Sequence, residues 1–239
     1  MSPAPPSQKR PFHSLLRVRQ KNMSITQDRV HPLRSFSANL HAHVTNAWDK
    51  YLASAQEQDI VAISHEELRA VLLRAFGYSE FVADVCVRQP QALLELARSG
   101  QLYRQLGKRE LELALAERLH DVTEERALAS ALRQFRQQAM LRIAVRDLVG
   151  WAPLGETLAE LSALADACVG QALTTLSQWQ QKDLGVPFGE RNNQPVELVV
   201  IGMGKLGAGE LNFSSDIDLI FAYREEGETR HGRRLVANE

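Results

Sequence analysis

The chain of 239 residues is nearly neutral, because 28 Lys and Arg side chains face 29 Asp and Glu side chains and leave a formal net charge of −1. This balance provides no bulk electrostatic attraction for nucleic acid, so no nucleic-acid partner is expected. The two cysteines, Cys86 and Cys168, lack metal-ligand spacing, and so few cysteines predict a reducing compartment. No apolar run reaches the roughly 18 residues that a membrane span needs. The length allows one large domain or two small ones.

The first 40 residues differ in composition from the rest of the chain. They are rich in Pro, Ser, Lys and Arg, and Asp28 is their only acid. They lack the apolar segment of a secretory signal, so residues 1–40 are predicted to form a disordered basic tail. Met23 is an alternative start of the translated protein, which mass spectrometry of the native N-terminus would reveal.

Residues 41–185 are predicted to form a helical region. The clearest pattern runs from Glu156 to Lys182, where apolar residues recur at three- and four-residue steps and form one stripe. Gly185 and Pro187 end this pattern. The same reasoning predicts further helices at Glu66–Phe76, Ser79–Arg88, Pro90–Ser99, Lys108–His120 and Thr123–Gly150.

The last of these helices is rich in arginine. Spacings of three and four residues place several of its arginines on one flank of the helix, the set being Arg133, Arg136, Arg142 and Arg146. Such a flank can contact phosphate, but a solvated face with ion pairs inside the helix is the favoured interpretation.

The third region, residues 186–239, is predicted to be the start of a catalytic core. A linker at Gly185–Pro195 leads into it, because this stretch is rich in Gly, Pro and Asn. From Val196 to Tyr223 the pattern then indicates an apolar strand, a glycine turn and a second strand.

The second strand is predicted to carry two acids on one face. Side chains alternate across a strand, so Asp216 and Asp218 share one face, and the opposite face, with Ile217, Leu219 and Phe221, is predicted to face the core. Two like charges this close are costly unless a cation lies between them or one takes up a proton. Mg²⁺ prefers carboxylate oxygens and keeps waters and substrate phosphates as its other ligands. A solvated acid pair is the alternative for an isolated Asp-x-Asp, and the glycines upstream favour the metal.

Those glycines also match the dinucleotide-binding fingerprint. Gly202, Gly204 and Gly207 follow an apolar strand with the required spacing, and Glu225 and Glu226 lie near the position of the ribose-binding acid. A parallel crossover needs a dozen or more residues, whereas about eight separate the turn from the next strand, and Gly, Asn and Ser among them disfavour a helix. The spacer therefore argues against a dinucleotide fold.

A Walker A loop is excluded because two positions of the motif hold the wrong residues. Lys205 follows Gly204, but Leu206 stands where Ser or Thr is required and Val199 stands where the first glycine is required. A phosphate-contacting turn followed by an Asp-x-Asp strand fits the residues better.

These residues resemble a known family. The segment Gly202–Gly207 (Gly-Met-Gly-Lys-Leu-Gly) and the segment Glu210–Ile220 (Glu-Leu-Asn-Phe-Ser-Ser-Asp-Ile-Asp-Leu-Ile) look like the nucleotidyltransferase motif of the bifunctional glutamine synthetase adenylyltransferase/adenylyl-removing enzymes. Weaker resemblance reaches upstream to Phe76–Asp84 and to Leu132–Ala144, so that it covers about residues 41–239. Ala208 departs from the pattern, where glycine is more often expected.

The resemblance implies the fold class and the site. The fold is expected to be α+β, with a mostly helical N-terminal region leading into the first strands of a polymerase-β-like nucleotidyltransferase domain that is incomplete here. Asp216 and Asp218 are predicted to be catalytic and to bind Mg²⁺. The predicted contacts to nucleotide (ATP or ADP) and phosphate come from the glycine turn, including its N–H groups from Gly204 to Gly207, and from the serines that precede the acids: Gly202, Gly204, Lys205, Gly207, Ser214 and Ser215.

The resemblance also implies an activity. The motif lies about 200 residues into the chain and follows one helical region. This position resembles that of the family's adenylyl-removing domain. That domain removes AMP from a tyrosine of adenylylated glutamine synthetase with inorganic phosphate and releases ADP. The expected partners are adenylylated glutamine synthetase and PII-type signal proteins, and the expected location is cytoplasmic. A nucleic acid or a membrane is not an expected partner.

The third carboxylate of such sites comes from a later strand in the family, and no matching segment follows Tyr223. The chain is therefore expected to be truncated and to have little or no activity alone. Two alternatives stay open: another polymerase-β-like nucleotidyltransferase acting on a small molecule or RNA, and a non-catalytic regulatory or structural fragment.

Overall fold

The computed structural model describes residues 37–60 and 65–231. Most of the predicted tail, residues 1–36, lies outside this range, and helix α1 begins at Ala38, inside the predicted tail. The described chain is mostly helical with short antiparallel strands near its C-terminal end, which confirms the α+β fold class. No helix of the described part is both long enough and apolar enough to cross a membrane.

Contacts divide the chain into two compact units. Unit 1 falls within Met1–Arg104 and Ala144–Trp151, and unit 2 within Gln105–Ile143 and Ala152–Glu239. The predicted glycine turn thus groups with the helices just before it in the chain. Contact grouping does not define a catalytic domain, so the predicted boundary near residue 185 stays a prediction.

The described part of unit 1 contains four complete helices and the end of a fifth. The four complete helices are α1 (Ala38–Glu57), α2 (Glu66–Tyr78), α3 (Glu80–Arg88) and α4 (Ala92–Arg98), followed by a 3-10 turn at Gln101–Tyr103. The hydroxyls of Ser37 and Ser79 accept from the backbone N–H groups of Leu40 and Val82 and so cap α1 and α3. The predicted helices Glu66–Phe76, Ser79–Arg88 and Pro90–Ser99 are confirmed to within two residues at each end.

Unit 2 is organised around two long helices. Helix α5 (Lys108–Leu119), α6 (Glu125–Leu148, of which the last residues belong to unit 1) and α7 (Leu154–Leu184) confirm the remaining helix predictions. Helix α7 ends where Gly185 adopts φ +90°, a conformation open mainly to glycine. The apolar stripes of the three helices form one core, whose buried members include Leu111, Leu115, Leu128, Ile143, Leu161 and Leu164.

An ion pair lies inside this core. Arg142 Nη2 is 2.9 Å from Glu160 Oε1, and both side chains are only 1% exposed. The N–H of Leu106 donates to the same carboxylate oxygen at 2.5 Å. In unit 1, Arg146 is likewise buried and donates to the carbonyl of Leu102 at 3.2 Å. The predicted solvated arginine face is therefore wrong for Arg142 and Arg146, because both guanidinium groups are buried and contact partners distant in sequence, Glu160 and the carbonyl of Leu102.

The strands form two separate antiparallel pairs. Strand β1 (Gly185–Gly189) pairs with β4 (Gly227–His231), and β2 (Val199–Gly202) pairs with β3 (Leu219–Ala222). One helical turn, α8 (Gly204–Gly207), follows β2. The predicted linker at Gly185–Pro195 is wrong in its first part, since residues 185–189 form β1 in spite of their glycines and proline.

The predicted second strand also differs from the observed one. Strand β3 starts at Leu219, so Asp216 and Asp218 lie in the segment that leads into the strand. The predicted core face is wrong for Ile217 and Phe221, which are 39% and 62% exposed. The reason is that, of the three residues predicted to share the core face, the helical core contacts only Leu219, and within the described residues β2 and β3 pair only with each other.

Candidate functional site

The glycine turn is a tight reversal that tolerates little extra volume. After β2, Met203 caps the single turn of α8, and the N–H of Gly207 donates to the carbonyl of Met203 at 3.2 Å. A Cβ at Gly207 would lie 2.5 Å from the carbonyl oxygen of Gly202, and a Cβ at Gly202 would lie 2.9 Å from Leu206 Cγ. Gly204 has φ +53°, in the left-handed region. Close approach at Gly202 and Gly207 and backbone conformation at Gly204 thus explain the three glycines.

The strand register brings the second aspartate to the turn. Gly202 pairs with Leu219, and one residue further the N–H of Met203 donates to the carbonyl oxygen of Asp218 at 2.9 Å. Asp218 therefore lies directly across the pair from the residue that caps the turn. Asp216, Asp218 and Lys205 are all exposed, so their charged groups are accessible to a ligand.

The same register removes the dinucleotide alternative. Strands β2 and β3 are antiparallel, whereas the dinucleotide-binding fold requires parallel strands joined by a crossover helix. The chain between them holds one helical turn followed by irregular backbone. The interpretation drawn from the short spacer is confirmed.

The loop between turn and aspartates is folded on itself. The N–H of Glu210 donates to the carbonyl of Lys205 at 2.8 Å, and the side-chain oxygen of Asn212 accepts from the hydroxyls of both Ser214 and Ser215. Ser214 and Ser215 thus have a structural partner at Asn212. Sequence reasoning missed the role of Asn212, although Asn and Ser are both recognised turn-forming residues.

Ala208, the departure from the family pattern, fits its position. It has φ −82° and ψ −8°, an ordinary right-handed conformation that any residue adopts. The left-handed position is the next residue, Gly209, with φ +72°.

Leucines attach the site to the helices of unit 2. Leu206 in the turn and Leu211 in the loop are buried in the core formed with Leu161 and Leu164 of α7, and Leu219 packs against it. A two-stranded pair is at best marginally stable alone. The turn and the aspartate segment are therefore held by the helical core as well as by their own strand pairing.

The arrangement has the donor set of part of a magnesium–phosphate site. Exposed carboxylates such as those of Asp216 and Asp218 are ligands that Mg²⁺ prefers, and one of the two, Asp218, lies beside a turn with a lysine. The prediction that backbone N–H groups of Gly204 to Gly207 bind phosphate needs a correction at Gly207, whose N–H already donates to Met203. The first N–H groups of α8 have no acceptor inside a helical turn and keep this capacity. Across residues 37–60 and 65–231, no three or more His, Cys, Asp or Glu side chains group to hold a metal ion.

Comparisons with known proteins identify close similarity over most of the chain. A family model described as glutamate-ammonia ligase adenylyltransferase matches residues 69–239. The bifunctional glutamine synthetase adenylyltransferase/adenylyl-removing enzyme of Nitrosococcus oceani is 43% identical over 213 residues, which are 89% of this chain and 22% of that protein. The proteins of the same name from Pseudomonas aeruginosa and Pseudomonas putida are 48% and 44% identical over 70% and 67% of this chain, and 17% and 16% of their own lengths. The chain spans about a fifth of the length of the curated relatives that it matches most fully.

Proposed function

The chain belongs to the glutamate-ammonia ligase adenylyltransferase family, and we propose that it forms part of an enzyme that removes AMP from a tyrosine of adenylylated glutamine synthetase. The observation that carries this proposal is the strand register that holds Asp218 against the glycine turn, with the bond from Met203 to Asp218 at 2.9 Å. The relatives named above include both an adenylyl-adding and an adenylyl-removing activity in their names. The helical region that precedes the site in the chain supports the removing activity, and PII-type signal proteins would be its regulatory partners.

The site residues divide the work of phosphorolysis. Asp216 and Asp218 would hold Mg²⁺, which polarises the adenylyl phosphate and stabilises the attacking and leaving oxygens when it is bound. The first N–H groups of α8 and the ammonium group of Lys205 would orient phosphate oxygens. An oxygen of inorganic phosphate then bonds to the adenylyl phosphorus as the bond from that phosphorus to the tyrosine oxygen breaks. ADP leaves, and the tyrosine oxygen takes a proton from solvent.

The test uses an extended enzyme, in which the chain is continued by the part of the Nitrosococcus oceani relative that follows its matched segment. With adenylylated glutamine synthetase, inorganic phosphate and Mg²⁺, we expect ADP release. Asp216→Asn and Asp218→Asn should each lower kcat on the order of 100-fold or more, since several kcal/mol of charge stabilisation are lost. Glu226→Gln is the matched control, an exposed acid beyond β3, and should leave the rate unchanged.

The outcomes separate the alternatives. An unchanged rate in both aspartate variants would reject the metal assignment. Aspartate-dependent transfer of AMP from ATP, without ADP release from the adenylylated substrate, would assign the adding activity instead.

A further inference from the structure

The hydroxyl of Ser162 joins helix α7 to the loop that leads to the aspartates. Ser162 Oγ donates to the carbonyl of Leu158 at 2.9 Å, as hydroxyls inside helices commonly do. The same oxygen accepts from the N–H of Leu211 at 3.0 Å, across 49 residues of sequence and in a buried position. One side chain therefore bridges the helix and the loop.

The loop has a physical need for this acceptor. Leu211 lies in irregular backbone between α8 and β3, outside the hydrogen-bond ladder of any helix or strand. Its side chain is buried in the unit 2 core, so its N–H enters the protein interior with it. A buried N–H without an acceptor is costly, and Ser162 supplies the acceptor at this point.

Hydrogen bonds fix the short segment between Leu211 and the first acid, Asp216. The next residue, Asn212, accepts from the hydroxyls of Ser214 and Ser215, and its carbonyl accepts from the N–H of Ser215 at 3.2 Å. Asp216 follows directly. The segment from the anchored Leu211 to Asp216 is thus closed by hydrogen bonds at short intervals, which leaves little freedom between the helix and the first acid.

We propose that Ser162 is a positioning residue that sets the place of Asp216 and Asp218 relative to the glycine turn through its hydrogen bond to Leu211. The proposal rests on the proposed function for its catalytic consequence. Leu206 and Leu211 hold the loop by apolar contact, which is non-directional and permits sliding. The hydrogen bond is directional and fixes one register of the loop on α7.

The first test measures hydrogen exchange of the Leu211 amide in the 239-residue chain. Ser162→Thr keeps the hydroxyl, whereas Ser162→Val introduces a side chain of nearly the same shape as Thr without a hydroxyl. The difference in exchange rate between the Thr and Val variants therefore isolates the hydrogen bond. We expect roughly tenfold faster exchange at Leu211 in the Val variant than in the Thr variant. Thr174→Ala is the matched control, because Thr174 makes the same helical bond, to Gly170 at 2.9 Å, at an exposed site. Equal exchange in the Thr and Val variants would overturn the proposal.

The second test measures the extended enzyme at increasing Mg²⁺ concentration. If Ser162 positions the acids, the Val variant needs roughly tenfold more Mg²⁺ for half-maximal ADP release than the Thr variant, since the same hydrogen bond is lost, and Thr174→Ala behaves as the parent. A purely structural role lowers the amount of active enzyme and leaves the Mg²⁺ requirement unchanged, which would reject positioning. Unchanged rates in both aspartate variants would instead reject the metal assignment on which the proposed function rests, while the exchange of Leu211 would still report on Ser162.

Discussion

The buried pair of Arg142 and Glu160 makes a sharp prediction about the stability of unit 2. Replacing Glu160 by Gln keeps an oxygen acceptor for the N–H of Leu106, but it removes the negative charge 2.9 Å from the guanidinium group in a site that is 1% exposed. Removing one partner of a buried pair costs about 3–5 kcal/mol, because a charge stays in the core without its counter-charge.

This loss is large compared with the total stability of a protein, which is about 5–15 kcal/mol. For a chain of this size, each kcal/mol lowers the midpoint of thermal unfolding by about 2–4 °C. We therefore expect Glu160→Gln to lower the midpoint by roughly 6–20 °C. The measurement is thermal and urea unfolding followed by circular dichroism.

Two further variants define the control and the refutation. Lys108 and Asp166 form an ion pair of similar length, 2.8 Å, with side chains 55% and 42% exposed, so Asp166→Asn should cost less than about 1 kcal/mol. Adding Arg142→Met to Glu160→Gln removes the isolated charge and should restore most of the lost stability. If Glu160→Gln stays within about 1 kcal/mol of the parent, or if the double variant is no better than the single one, the reasoning from burial is refuted.

Two other predictions follow from the geometry. Gly207→Ala places a Cβ 2.5 Å from the carbonyl oxygen of Gly202 and should destabilise the turn by about 1–3 kcal/mol, measured as faster exchange of the amide at position 207 than in the parent. Gly170→Ala in α7, where nothing lies within 4 Å of the added Cβ, should instead stabilise the chain by about 0.5–1 kcal/mol. Equal effects of the two substitutions would contradict the close contact at Gly207. Burial raises the pKa of Cys86 from 9.0 to about 12 and that of Cys168 from 9.0 to about 11. Iodoacetamide at pH 8 should therefore label both thiols slowly in the native chain and quickly in the denatured chain, by mass spectrometry. Because the folded state favours the protonated thiols, stability should fall as the pH rises above about 9; rapid native labelling would contradict this.

Local periodicity was enough to predict helices α2 to α7, whereas α1 fell partly in the predicted tail and was covered only by the general prediction of a helical region from residue 41. Helix α7 was predicted at residues 156–182 and is observed at Leu154–Leu184, because its apolar stripe is a property of nearby residues. Strand β1 was missed for the opposite reason. Its glycines and proline resemble a linker, and its partner β4 lies about 40 residues further along the chain, so the pairing that makes it a strand is invisible to any local window.

The arginines show the same limit in the core. Arg142 lies on a helix whose spacing fits a solvated face, but its counter-charge, Glu160, comes from another helix. A signal was present on the partner side: Glu160 stands among the apolar residues of the α7 stripe, next to Leu161 and four residues before Leu164. A lone acid in such a stripe predicts a buried partner.

At the candidate site, the glycine turn and a strand on either side of it were predictable from the sequence, while the exposure of the strand faces was not. The turn and the acids were inferred from glycine spacing and an Asp-x-Asp pattern, and the structure brings Asp218 to the turn. The prediction of a core face for Ile217 and Phe221 assumed a covered sheet. Alternation along a strand tells which side chains share a face, but only the neighbouring elements decide whether that face is buried.

Helix α7 carries one residue that stabilises the core, Glu160, and one that contacts the loop of the candidate site, Ser162. Glu160 lies in the centre of the unit 2 core, and its loss should weaken all elements that pack there, including the leucines that carry the turn. Two residues later, the hydroxyl of Ser162 makes two hydrogen bonds within the described part of the chain, one to Leu158 of its own helix and one to Leu211 of the loop. Glu160→Gln should therefore lower both the midpoint of thermal unfolding and the protection of the Leu211 amide from exchange. Ser162→Thr and Ser162→Val should instead differ in the protection of the Leu211 amide and have nearly the same midpoint. The two outcomes distinguish a residue that stabilises the core, Glu160, from one that positions the aspartate loop, Ser162.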